Sequence, residues 1–132
     1  MKRILGLGLA LALAIPAAAL AGDDSFVVND SNKPINHDCG KQAAVLINGS
    51  MDTITLTGTC TKVLINGRGN TLAIESSGKV GVNGAANTVT IGATDKIELT
   101  GSQNKVTWKR GLTKKAPKVM NLGNHNSIAK TK

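Results

Sequence analysis

Three groups of residues have side chains of the kinds that chemistry needs. His37, Asp38 and Cys39 are consecutive, and each is a type of zinc ligand. Neighbouring side chains on an extended chain point to opposite sides, and the other histidine, His125, is far away, so no metal site is expected. Asp95 and Glu98 form a second group. Two carboxylates held about 5 to 9.5 Å apart across a cleft can cleave a glycosidic bond. Both sit beside Lys96, however, and read as charged groups on a solvated edge. The third group is the run "KVTWKRGLTKKAPK", residues 105 to 118, in which Lys105, Lys109, Arg110, Lys114, Lys115 and Lys118 stand without an acid. Such a cluster attracts anionic envelope polymers or an acidic protein through a salt-sensitive field.

Nothing else points to catalysis. The chain has no nucleophile elbow, phosphate loop, paired-histidine metal motif or dinucleotide fingerprint. No enzymatic activity and no cofactor are expected. Phe26 and Trp108 are the only aromatic residues, too few for the stacking platforms that hold nucleic-acid strands, so no nucleic-acid partner is expected.

The elements that would position these groups follow from an internal repeat. Gly49, Gly67, Gly84, Gly101 and Gly123 come into register at steps of 17 to 22 residues. Four residues before each stand Val45, Val63, Val80, Ile97 and Val119, and two before stand Ile47, Ile65, Val82, Leu99 and Asn121. Three after each come Asp52, Asn70, Asn87, Asn104 and Asn126. Ile54, Leu72, Val89, Val106 and Ile128 follow, and then Leu56, Ile74, Ile91, Trp108 and Lys130. Alternation of this kind gives two short strands per repeat, each with two inward apolar residues.

A period this short suits a β-solenoid, in which each turn buries its apolar residues against the next. The predicted fold is all-β: a short, single-stranded coil of about five turns, residues 41–132, preceded by a cap segment at residues 22–40. Asn70, Asn87, Asn104 and Asn126 would form a structural ladder at one corner, with the glycines permitting a sharp bend. An antiparallel meander is the competing arrangement, because Asn-Gly also marks hairpins, but no helix is predicted to cover its apolar face. Asn121 and Lys130 place polar groups in inward columns of the last turn, which reads as a cap against fibre growth.

The second wall would display a double file of outward residues, mostly threonine: Thr53 and Thr55, Thr71 and Ala73, Thr88 and Thr90, Lys105 and Thr107, Ser127 and Ala129. Ice binding is a remote alternative for such a face, interrupted here by Ala73, Lys105 and Ala129.

The first 21 residues, with Lys2, Arg3, an apolar stretch broken by Pro16 and the sequence Ala19-Leu20-Ala21, read as a cleaved secretory signal peptide. Its removal lowers the formal charge from +8 to +6 by loss of Lys2 and Arg3. The expected location is therefore the periplasm or the exterior, without stable membrane insertion after cleavage. In an exported chain, two cysteines point to one disulfide, Cys39 with Cys60.

The motifs "DCG", "LTGTC", "GAANTVTI", "VTWKRG" and "VMNLGNHN" resemble the bacterial domain-of-unknown-function family numbered 3060, whose repeats follow V-x-V-x-G-x-x-N-x-V-x-V. The resemblance spans about residues 38 to 130 and implies an exported, β-solenoid-like domain; it implies no activity. Together these readings predict a monomeric, non-enzymatic envelope protein with a structural or binding role. A small periplasmic binder or inhibitor of another protein is the alternative.

Overall fold

The computed structural model describes residues 25–131; the expected signal peptide and Lys132 lie outside them. Nine strands follow in order: β1 (Ser25–Val28), β2 (Pro34–Asp38), β3 (Ala44–Ile47), β4 (Thr53–Ile65), β5 (Thr71–Val82), β6 (Thr88–Leu99), β7 (Lys105–Arg110), β8 (Lys118–Asn121) and β9 (Ser127–Lys130). Every pairing between them is parallel, and each strand lies on the strand one turn before it. A meander would pair its strands antiparallel. The chain is a β-solenoid.

The repeat columns read from the sequence coincide with the pairing. On the first wall, Val45, Val63, Val80, Ile97 and Val119 stack in register, as do Ile47, Ile65, Val82, Leu99 and Asn121. On the second wall, Ile54, Leu72, Val89, Val106 and Ile128 stack, beside Leu56, Ile74, Ile91, Trp108 and Lys130. The apolar members from Val45 to Val106 form one continuous core, with Trp108 and Ile128 half-buried against its end.

The coil has about six turns rather than five. Within the segment expected as a cap, residues 22–40, the strands add a turn ahead of the first repeat, β1 stacking on β3 and β2 on β4. The repeat hides this turn because Asp30 stands where the later turns have glycine. The glycines explain why. A Cβ added at Gly67, Gly84 or Gly101 would lie 1.6–1.7 Å from the carbonyl oxygen of the matching glycine one turn earlier. The residue is thus required by close approach of stacked backbones, and the first described turn has no such turn beneath it.

That corrects the expectation that these glycines supply the bend. The left-handed backbone falls instead on the residue just before the corner Asn or Asp: Met51, Gly69, Ala86, Gln103 and His125, with Asn32 in the first turn. Left-handed geometry is unfavourable for most side chains, so the packed corner imposes it.

The way the chain turns at the opposite corner was not foreseen. Ser76 with Ser77, and Ala93 with Thr94, are consecutive buried residues, so the two-residue alternation breaks there and the chain bends. Ser77 Oγ donates to the Lys79 carbonyl at 2.7 Å and Thr94 Oγ1 to that of Lys96 at 3.3 Å, satisfying the buried hydroxyls.

Candidate functional site

The predicted asparagine ladder runs through the first corner as a hydrogen-bonded column. Asn87 Oδ1 accepts the Asn70 backbone N–H at 2.9 Å, while Asn87 Nδ2 donates to the Gly67 carbonyl at 3.1 Å. Asn70, Asn104 and Asn126 repeat the pattern one turn apart. Asp52 occupies the same column with a carboxylate. Its Oδ1 accepts the Lys33 N–H at 2.8 Å, but Oδ2 is buried without a hydrogen-bond partner. The ladder lacks one donor at this turn.

The opposite corner differs from turn to turn. Cys39 and Cys60 form the expected disulfide, with Cα atoms 5.0 Å apart, tying the first turn to the second. His37 stacks on Phe26 at a ring-centroid distance of 3.9 Å, and its Nε2 lies 2.9 Å from the Gln42 carbonyl oxygen. One turn on, Glu75 Oε1 accepts the Gly58 N–H at 2.8 Å.

Asp95 fixes the inserted loop, residues 111–117. Its Oδ1 accepts the N–H groups of Leu112 and Thr113 at 3.0 and 2.7 Å, and its Oδ2 accepts the Thr113 hydroxyl. The Thr113 side-chain bond, followed by its backbone N–H, holds the Asp95 carboxyl below the ordinary aspartate range. Glu98 makes ion pairs of 3.0 Å with both Lys79 and Lys96. Those two bonds, that to Lys79 being the stronger, likewise depress its pKa. Each of these carboxylates therefore has a role in positioning the chain or its lysines.

The predicted basic cluster is divided between two walls. Lys105 lies in the threonine file of the second wall, registered between Thr88 and Ser127. Lys109 and Arg110 end β7, at the far end of that wall. Lys114 and Lys115 are exposed on the loop, which leads directly into Lys118 at the start of β8.

Lys118 joins a feature that the sequence reading missed. Lys62, Lys79, Lys96 and Lys118 stack in register on the outer face of the first wall, one per turn. They occupy the column five residues before the repeat glycine, so the alignment held the signal. At about 4.8 Å per turn, like charges on paired strands repel and cost stability. Glu98 offsets this for the inner two lysines, whereas Lys62 and Lys118 have no ion pair among the described residues.

The same face carries a second file at its other edge. Asn48 Nδ2 donates to Asn29 Oδ1 at 3.0 Å, Asn66 Nδ2 to Asn48 Oδ1 at 3.1 Å, and Thr100 Oγ1 to Asn83 Oδ1. Between Asn66 and Asn83 the chain of bonds is interrupted. Beside the break, Gly81 replaces the leucines that Leu46 and Leu64 supply in the preceding turns, leaving a hollow of about 350 Å³ lined by Leu64, Asn66, Gly81, Asn83 and Glu98. A wider groove of about 610 Å³ adjoins it, sharing Asn66, Asn83 and Thr100 and floored by Gly67, Gly84 and Gly101.

The family described as "Protein of unknown function (DUF3060)" matches residues 47–91 and again residues 76–125. The chain belongs to this family. Two overlapping matches are what a repeated unit produces, and together they take in the lysine file, the inserted loop and the asparagine ladder from Asn70 to Asn104. Among curated proteins and solved structures, nothing matches the chain.

Proposed function

We propose that this protein is an exported, non-enzymatic β-solenoid that contacts anionic polymers of the cell envelope, through the first wall and the loop above it. The observation that carries this reading is the lysine file. Cations in register repel, Glu98 offsets this only for Lys79 and Lys96, and a linear polyanion lying along the coil would neutralise Lys62 and Lys118 as well. Lys114 and Lys115 extend the positive surface beyond Lys118, on a loop that Asp95 holds in place. The disulfide and the amino-terminal sequence support export.

Co-sedimentation of the protein with isolated envelopes tests the reading. Binding at low ionic strength should fall steeply with added salt, since exposed charges are screened over roughly 10 Å at 0.1 M. It should also fall when Lys62, Lys114, Lys115 and Lys118 are changed to glutamine. Absence of binding at low salt, or binding indifferent to both changes, would overturn the proposal.

A further inference from the structure

We infer that the polymer is an anionic glycan, and that the hollow at Gly81 is a subsite for one of its sugars. This rests on the proposed role of the lysine file and names the ligand class. A polyanion needs only the lysines, yet the same face has groups that simple charge recognition would not use. At the break in the amide file, Asn66 Oδ1 and Asn83 Nδ2 have no hydrogen-bond partner among the described residues. One is an acceptor and the other a donor, on adjacent turns, facing the same hollow. Glu98 adds a carboxylate at its rim, and Leu64 adds an apolar wall.

Planar amide and carboxylate groups beside a small apolar surface suit a pyranose ring. Its hydroxyls both donate and accept, while its C–H face packs on hydrocarbon. Gly81 makes the ring's approach possible, because a side chain there would occupy the hollow. The position does not need glycine for a special backbone angle, and an added Cβ would meet only the Leu64 side-chain end, at 2.8 Å.

Acidic groups on neighbouring sugars would reach the lysines that Glu98 leaves free. Lys62 and Lys118 lie three turns apart, or about 14 Å at one strand spacing per turn, and the hollow lies beside that file, on the turns from Leu64 to Glu98. An extended glycan advances by a similar step per sugar, so at least three sugars would lie along the coil axis. The chemistry is common to uronic-acid glycans and phosphate-substituted glycans.

Binding of four polymers should be measured at one ionic strength: polygalacturonate, a phosphate-substituted mannan, a neutral mannan and inorganic polyphosphate. At least one acidic glycan should bind roughly tenfold or more tighter than both polyphosphate and the neutral mannan, and which acidic glycan does so identifies the source of the acid. Gly81→Leu and Asn83→Ala should each weaken glycan binding several-fold and leave polyphosphate binding unchanged, with unaltered thermal unfolding showing that the fold persists. Polyphosphate binding equal to the best glycan, with neither variant having an effect, would overturn the sugar subsite while leaving generic polyanion contact intact. Equal binding of the neutral mannan would overturn the role of the acid. Failure of all four polymers would remove the underlying reading as well.

Discussion

The two corners of the coil obey different rules. At the asparagine corner, stacked backbones approach so closely that Gly67, Gly84 and Gly101 have no room for a side chain, and the amide ladder repeats bond for bond. At the opposite corner, one turn has a disulfide, the next a glutamate cap, and a later one the inserted loop clamped by Asp95. The first corner sets the stacking of every turn, so a change there propagates through the whole coil. The second is contacted less tightly and can accept crosslinks and insertions. That freedom explains why the loop carrying Lys114 and Lys115 enters on that side.

Glycine substitution should separate the two corners most sharply. Gly84→Ala brings a methyl group within 1.7 Å of the Gly67 carbonyl oxygen and should cost roughly 3 kcal/mol or more, a large share of a small domain's stability. At Gly78, near the other corner, the added Cβ would lie 2.9 Å from the Thr61 carbonyl, and the cost should be nearer 1–2 kcal/mol. Urea unfolding of both variants measures the difference, and equal losses would show that the corners are equivalent.

Removing the crosslink should have the next largest effect. Cys39 and Cys60 close a separation of 21 residues, for which chain entropy predicts about 3 kcal/mol. Replacing both by alanine should loosen mainly the first turn, residues 25–38. Hydrogen exchange should therefore rise at the β1 and β2 amides while the central turns stay protected.

Exchanging amide and carboxylate in the ladder should give smaller effects of opposite sign. Asn87→Asp removes the donor to the Gly67 carbonyl and should destabilise by about 1–3 kcal/mol. Asp52→Asn supplies the donor that its turn lacks and should stabilise by about 1 kcal/mol. Denaturant midpoints at neutral pH would check both, and a destabilised Asp52→Asn variant would contradict the proposed origin of the unpartnered oxygen.

Acidification should produce the smallest change, confined to the loop. Hydrogen bonds depress the Asp95 pKa in the folded state, so its contribution is fully present above the ordinary aspartate range. It fades as pH falls through that range and past the depressed value. Exchange at the Leu112 and Thr113 amides, corrected for intrinsic rates, should rise over that interval, and Asp95→Asn should remove the pH dependence.

Much of the fold was legible because a parallel coil writes its contacts as columns in an alignment. Val63, Val80 and Ile97 touch in space for the same reason that they align in sequence. The first turn was obscured because Asp30 needs none of the constraint that imposes glycine on later turns. The role of those glycines was misjudged because the sequence marks which residue is required without distinguishing close approach from backbone angle. The predicted binding cluster followed proximity along the chain and so joined Lys105 to Lys118, whereas stacking joins Lys118 to Lys96. Lys62, Lys79 and Lys96 were visible in one column, but each looked like an ordinary surface lysine until the register placed them on one face. The column Leu46, Leu64, Gly81 records the missing side chain, but only the register shows that the glycine opens a space beside Asn66 and Asn83.

The most direct test of the first wall as the functional face compares two sets of charge-neutralised variants for envelope binding at low salt. One set changes Lys62 and Lys118 to glutamine, and the other makes the same change at Lys105 and Lys130 on the second wall. Both remove two charges, so any general effect of net charge is equal. Binding should fall several-fold in the first set and stay close to the parent level in the second. Equal losses, or a greater loss from the second wall, would contradict the first wall's role.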